Sequence, residues 1–286
     1  MNELLIAPDR DARARPAKAE ARAPASASVP RDGAPVADSV RGVEEHLVSL
    51  VAPNTFEAEQ YRALRALLEQ KRKAESLVVL AISSPAAGDG KTLTSINLAG
   101  TLAQAPEARV LLVDCDLRRP SVEAHLALGD GSSIGLVEAI LDPALSLDQV
   151  IRRQARFNLS VLTAGRCPGS PYELLKSPRL ADLLEEARRR FDYVVVDTPP
   201  MVPVPDLRVI AKLVDGVLLV VAAHKTPRRL LEEALYASDP AKVVGLVFNN
   251  DDGLLSRAYG YYDYGRPVNG AAWRRAHRTT EKRSAP

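Results

Sequence analysis

Residues 77–92 read LVVLAISSPAAGDGKT, and the passage from an apolar run into a glycine-rich turn decides the fold. The run is apolar from Leu77 to Ile82, so the strand it forms is buried on both faces, as strands are inside a parallel sheet covered by helices. Beyond the turn, Leu93, Ile96, Leu98 and Ala99 give a helix its apolar face. Strand, glycine turn and helix N-terminus in that order make a phosphate cradle. Glycines let backbone N–H groups curl around an anion, the helix end adds its positive pole, a lysine reaches the outer phosphates and a threonine hydroxyl meets magnesium. The candidate nucleotide contacts are Gly88, Asp89, Gly90, Lys91, Thr92 and Leu93. Where such loops usually begin with Gly this chain has Pro85, followed by Ala86.

Five further runs share the apolar character: 109–114 (RVLLVD), 159–164 (LSVLTA), 192–197 (DYVVVD), 216–221 (GVLLVV) and 242–248 (KVVGLVF). Amphipathic sequence separates them. The pattern predicts an α/β fold, a doubly wound and mostly parallel sheet with helices on both faces, over residues 53–250. Residues 1–52, rich in Ala, Pro and Arg, read as a leader without structure, and 251–286 as a flexible tail. Between leader and sheet, helix 56–72 puts Tyr61, Leu64, Leu67 and Leu68 on one stripe and Glu59, Arg62 and Arg65 on another.

Parallel-sheet ligands bind beyond the carboxyl ends of the strands, and three acids stand there. Asp114 and Asp116 follow the second apolar run in VLLVDCDLRRPS, at a spacing that aims both carboxylates toward the phosphates. Asp197 ends the run 192–197, where P-loop enzymes hold magnesium.

With 286 residues, 46% of them hydrophobic, the chain can bury a full core. A net charge of +2 gives no case for specific nucleic-acid binding. The two cysteines, Cys115 and Cys167, lack metal-ligand spacing. The first residues lack the pattern of a secretory signal, and no stretch reaches the roughly 18 apolar residues of a membrane span. The expectation is a cytoplasmic chain recruited to the inner membrane through a partner. Near the end, AYGYYDYGR (258–266) gathers Tyr259, Tyr261, Tyr262 and Tyr264, half of the eight tyrosines, ahead of a segment with six Lys or Arg against one Glu. A tyrosine cluster without helical or strand period, on a chain with a phosphate donor site, reads as a phosphoacceptor.

AAGDGKT, LLVDCDLRRP and VVVDTPP, the last preceded by PYELLKSPRLADLLEEARRRFD, together resemble the bacterial tyrosine kinases of polysaccharide export, over about residues 55–264. AEQYRALR is similar to that family's helix for ring-like self-association, which implies such a role for Glu59, Arg62 and Arg65. The resemblance implies ATP and Mg²⁺ as cofactors, with Lys91 and Thr92 on phosphates and metal. It further implies Asp114 as base or water-positioning acid, Asp116 and Asp197 at the metal, and Arg118 as an accessory catalytic residue. Implied partners are the tails of neighbouring subunits in a ring, a separate membrane chain-length determinant or adaptor, and a phosphotyrosine phosphatase. Two alternatives stand beside this. One is a partition or septum-positioning ATPase, whose loop would carry a lysine where this chain has Ala86; the other is a nucleotide-gated structural partner of a polysaccharide machine.

Overall fold

The computed structural model describes residues 3–5, 42–129 and 134–250. Strand β1 (Glu3–Leu5) comes first, then helices α1 (Val48–Val51) and α2 (Phe56–Glu75), strand β2 (Val79–Ser83), α3 (Lys91–Ala103) and β3 (Val110–Asp114). Short helices α4 (Val122–His125), α5 (Leu136–Leu141) and α6 (Leu147–Val150) lead to β4 (Arg152–Gln154) and β5 (Leu159–Leu162). The chain continues through α7 (Pro171–Leu175), α8 (Pro178–Arg190), β6 (Tyr193–Asp197), α9 (Asp206–Ile210), β7 (Gly216–Ala222), α10 (Arg228–Ala237) and β8 (Val243–Asn249).

The strands form one sheet in the order β1-β8-β7-β2-β6-β3-β5-β4. The six inner strands run parallel, and β1 and β4 close the two edges antiparallel. Strand β2 sits centrally and serves both cores. Val79 and Ala81 enter the layer beneath α5, α6, α8 and α9. Leu80 and Ile82 enter the layer beneath α2 and α3. That division is why the run 77–82 carries no alternation: a strand with two apolar faces has no polar side to show.

Asp215, just before β7, fixes where β2 begins. Its Oδ2 accepts the N–H groups of Val78 (2.9 Å) and Val79 (2.8 Å), and Arg188 Nη1 donates to the same carboxylate at 2.6 Å. Burial pushes this carboxyl up, but Arg188 and the two N–H groups outweigh it and hold it below the ordinary value. A depressed folded value contributes stability above the unfolded value and loses it as pH falls through the folded one. Asp215→Asn is therefore expected to cost about 1–3 kcal/mol at pH 7, with the deficit shrinking in acid. Urea unfolding of both proteins at the two pH values checks this; an equal deficit at both would assign the effect to packing.

The leader is where the structure departs from the sequence reading. Residues 3–5 pair with β8, and Leu47 is fully buried. Helix α1 lies on α3, where Ser49 N–H donates to Asn97 Oδ1 at 2.9 Å and Thr101 Oγ1 to Ser49 Oγ at 2.8 Å. A Cβ on Gly100 would come within 2.4 Å of Leu50 Cδ2, so the missing side chain is what admits α1. Residues 42–52 thus belong with the described α/β fold. Helix α2 begins at Phe56, capped by Thr55, and runs to Glu75, three residues past the expected end. Tyr259, Tyr261, Tyr262 and Tyr264, with the rest of 251–286, lie outside the described residues.

Candidate nucleotide site

The phosphate loop leaves β2 after Ser83 and ends where α3 begins. Gly88 (φ +84°) and Gly90 (φ +94°) take left-handed conformations that only glycine adopts without strain. Gly90 caps α3 with no side-chain acceptor, so the first N–H groups of the helix stay available to an anion. Leu93 packs against the α2–α3 core, leaving its backbone as its means of contact. Asp89 is 2% exposed, its carboxylate engaged by Ala86 N–H and the Thr226 hydroxyl.

Lys91 Nζ lies 2.7 Å from Asp116 Oδ2 and 3.6 Å from Asp197 Oδ2. Thr92 Oγ1 donates to Asp197 Oδ2 at 2.7 Å, and Ser95 Oγ to Asp197 Oδ1 at 3.0 Å. Burial works against the lysine's charge, but Asp197, Asp116 and Asp114 outweigh it and raise its proton affinity. Asp197 is raised in turn, by burial first, with Lys91, Thr92 and Ser95 opposing. Buried Cys115, beside all three acids, has its thiol pushed well up by burial and by their charge.

The Asp114 carboxylate is engaged by backbone N–H groups, which its spacing did not suggest. Its Oδ1 accepts Asp116 N–H, and its Oδ2 accepts Ser121 N–H and Val122 N–H, each at 3.1 Å. A turn closing over the strand end brings those donors to it, so Asp114 secures the start of α4. Burial, then Asp197, raises this carboxyl to about 7 against the pull of the three N–H groups. The Arg118 guanidinium is likewise engaged within the protein: Nε and Nη2 donate to Asp206 at 2.7 and 2.8 Å. Asp206 is fully buried, and an uncompensated charge there would be costly. Ser95 and Asp206 are site residues that sequence reasoning missed. Ser95, three residues after Thr92 on one helix face, was within reach of a helical-spacing argument.

On α2 the three charges have intrachain partners. Arg62 bonds Glu59 and, through Nη2, Pro53 O at 2.6 Å; Arg65 bonds Glu69 at 2.7 Å and Thr101 O at 3.0 Å. In a single chain they brace α2 against the loop before it and against α3.

Among the described residues no group of three or more His, Cys, Asp or Glu is arranged to hold a metal unaided. Magnesium needs none, since it keeps several waters and borrows phosphate oxygens beside one or two carboxylates. Thr92, Asp116 and Asp197 supply hard oxygens beside the loop and fit such an ion, and Lys91 stands as the cation among three acids.

The family model described as AAA domain matches residues 77–226. Tyrosine-protein kinase YwqD of Bacillus subtilis is 32% identical over 222 residues, 77% of this chain and 92% of that protein. Succinoglycan biosynthesis transport protein ExoP of Rhizobium meliloti is 36% identical over 207 residues, 70% of this chain but 26% of its own length. The chain thus spans nearly all of the first relative and about a quarter of the second. Among solved structures, the kinase domain of Escherichia coli tyrosine kinase ETK matches with TM-score 0.64 and 30% identity, over 70% of this chain and 78% of that one. The chimerical protein CapA2B2 matches with TM-score 0.67 and 26% identity, over 76% and 94%. Phosphate loop, strand-end acids and these relatives agree: the chain belongs to the bacterial tyrosine kinase family of P-loop ATPases.

Proposed function

We propose that the protein is an ATP-dependent protein-tyrosine autokinase that phosphorylates Tyr259, Tyr261, Tyr262 and Tyr264 of neighbouring copies. The observation that carries this is the Lys91 ammonium held against Asp116 and Asp197 at the mouth of the phosphate loop. Phosphoryl transfer is catalysed by positioning and charge stabilisation, and these are its parts. Lys91 takes the outer phosphates of ATP, and Thr92, Asp116 and Asp197 would hold Mg²⁺, whose charge would offset that on the phosphoryl oxygens. The tyrosine oxygen bonds to the γ-phosphorus as its bond to the bridging oxygen breaks and ADP leaves. The hydroxyl proton passes to a carboxylate of the cluster. Asp114, its oxygens held by the N–H groups of Asp116, Ser121 and Val122, serves the cluster by fixing the turn before α4. Arg118 acts through Asp206. Incubation with γ-labelled ATP and magnesium is expected to place label on tyrosine of the full-length chain; phosphate release with an unlabelled chain would leave an ATPase.

The wider setting is proposed from the relatives. The kinase regulates polymerisation or export of a surface polysaccharide, working in the cytoplasm beside the inner membrane through a separate adaptor, with a phosphatase resetting the tail. Among the described residues no helix is long and apolar enough to cross a membrane. Copies assemble through α2, where Glu59, Arg62 and Arg65 exchange local partners for those of a neighbour. Replacing all three with Ala is expected to leave particles of 30.9 kDa by light scattering. An unchanged mass distribution would restrict them to bracing α2.

A further inference from the structure

The phosphate loop is held by the turn between β7 and α10 and by the end of β8, outside the catalytic cluster. Asp89 Oδ2 accepts Ala86 N–H at 2.9 Å within the loop, and Asp89 Oδ1 accepts the Thr226 hydroxyl at 2.7 Å. Thr226 Oγ1 in turn accepts Ala222 N–H at 3.1 Å, so this hydroxyl donates and accepts at once. Asn249 Nδ2 donates to Asp89 O at 3.0 Å. Lys225 Nζ reaches Gly88 O at 3.4 Å, from an exposed position.

From this arrangement we infer that Thr226 and Asn249 are positioning residues, which hold the phosphate loop in its anion-receiving shape before nucleotide arrives. The inference rests on the nucleotide reading of the loop. Two physical points carry it. First, a carboxylate within a phosphate cradle would repel the ligand; Thr226 and Ala86 occupy both oxygens of Asp89 and keep it turned inward. Second, a trans peptide is planar with its C=O and N–H opposed, and no described peptide is cis. By holding the Asp89 carbonyl, Asn249 turns the Gly90 N–H to the opposite side, away from itself.

Glycine at 90 is part of the same device. A Cβ there would come within 1.9 Å of Asn249 Nδ2, so the amide occupies the space that the missing side chain leaves. The two grips are also tied together. Ala222 and Asn249 are register partners in β7 and β8, and Ala223 N–H donates to Asn249 O at 2.7 Å. A loop shaped in advance loses less conformational entropy on binding, which appears as affinity.

The test uses the full chain and Mg-ADP, with dissociation constants by calorimetry and melting of the nucleotide-free protein alongside. Thr226→Val and Asn249→Leu, near-isosteric and without the hydrogen bonds, are each expected to weaken binding about tenfold, the worth of one to two such bonds. Thr226→Ser restores the hydroxyl and is expected to bind within about threefold of the parent. A strut serving the fold alone would lower melting in the variants and leave their affinity where it was. If Thr226→Val does not fold, Asn249→Leu, a change at a half-buried strand end, carries the test. A parent that binds Mg-ADP, with variants that bind it equally well, overturns the inference and leaves the nucleotide reading standing.

Discussion

Replacing Lys91 with Met is expected to lower phosphotyrosine formation by about two to three orders of magnitude, the cost typical of losing one preorganised charge-stabilising donor. Methionine keeps the length and apolar stem of lysine and removes the ammonium. The structure adds a consequence for the fold. Lys91 is 8% exposed and lies beside Asp116 and Asp197, so its removal leaves Asp114, Asp116 and Asp197 buried without their cation. The variant is expected to fold, as circular dichroism would record, but to melt lower without nucleotide. Undiminished labelling would mean that the loop is misassigned.

The second large effect is expected in the tail. Changing Tyr259, Tyr261, Tyr262 and Tyr264 together to Phe keeps the rings, removes the acceptor hydroxyls and should reduce label to background. Phosphopeptide mapping of the unchanged chain would show which tyrosines are used. The proposed transfer between copies needs reach: eleven residues, the number from Phe248 to Tyr259, would span about 18 Å as flexible chain and at most about 36 Å extended. Each phosphotyrosine adds about −1.5 to −2 charge, so four add about −6 to −8. The segment after the cluster carries six Lys or Arg and one Glu, a net +5, so that charge turns a basic tail acidic. In the proposed ring, crowded acidic tails would repel, which would give a cycle of assembly, phosphorylation and release. Full labelling of the Phe variant would place the acceptors elsewhere.

Six strands and the glycine turn were legible in the sequence because burial on both faces leaves uninterrupted apolar runs that few other structures produce. The edge strands were not. Arg152–Gln154 and Glu3–Leu5 are three residues long, too short to display a period, and their pairing is set by the neighbouring strand. Helix α1 was hidden by its brevity and by its dependence on Gly100, a position meaningful only once Leu50 lies over it. At the site, residue types and their places at strand ends could be read, but the direction of each side chain could not. Asp114 turns to N–H groups that a later turn brings over it. Arg118 finds Asp206, 88 residues further along the chain. Thr226 and Asn249 meet the loop only because the sheet order sets β7 beside β2 and β8 beside β7.

The measurement that bears most directly on trans phosphorylation of the tail is a mixing experiment. A Lys91→Met chain that keeps Tyr259, Tyr261, Tyr262 and Tyr264 is combined with an active chain in which all four are Phe, and γ-labelled ATP and magnesium are added. The first is expected to transfer little phosphate, and the second lacks acceptor hydroxyls at the four positions. Label on the Lys91→Met chain is the expected result, lost when its four tyrosines are also replaced. Absence of label there, in a preparation where the unmodified protein labels itself, would contradict transfer between copies.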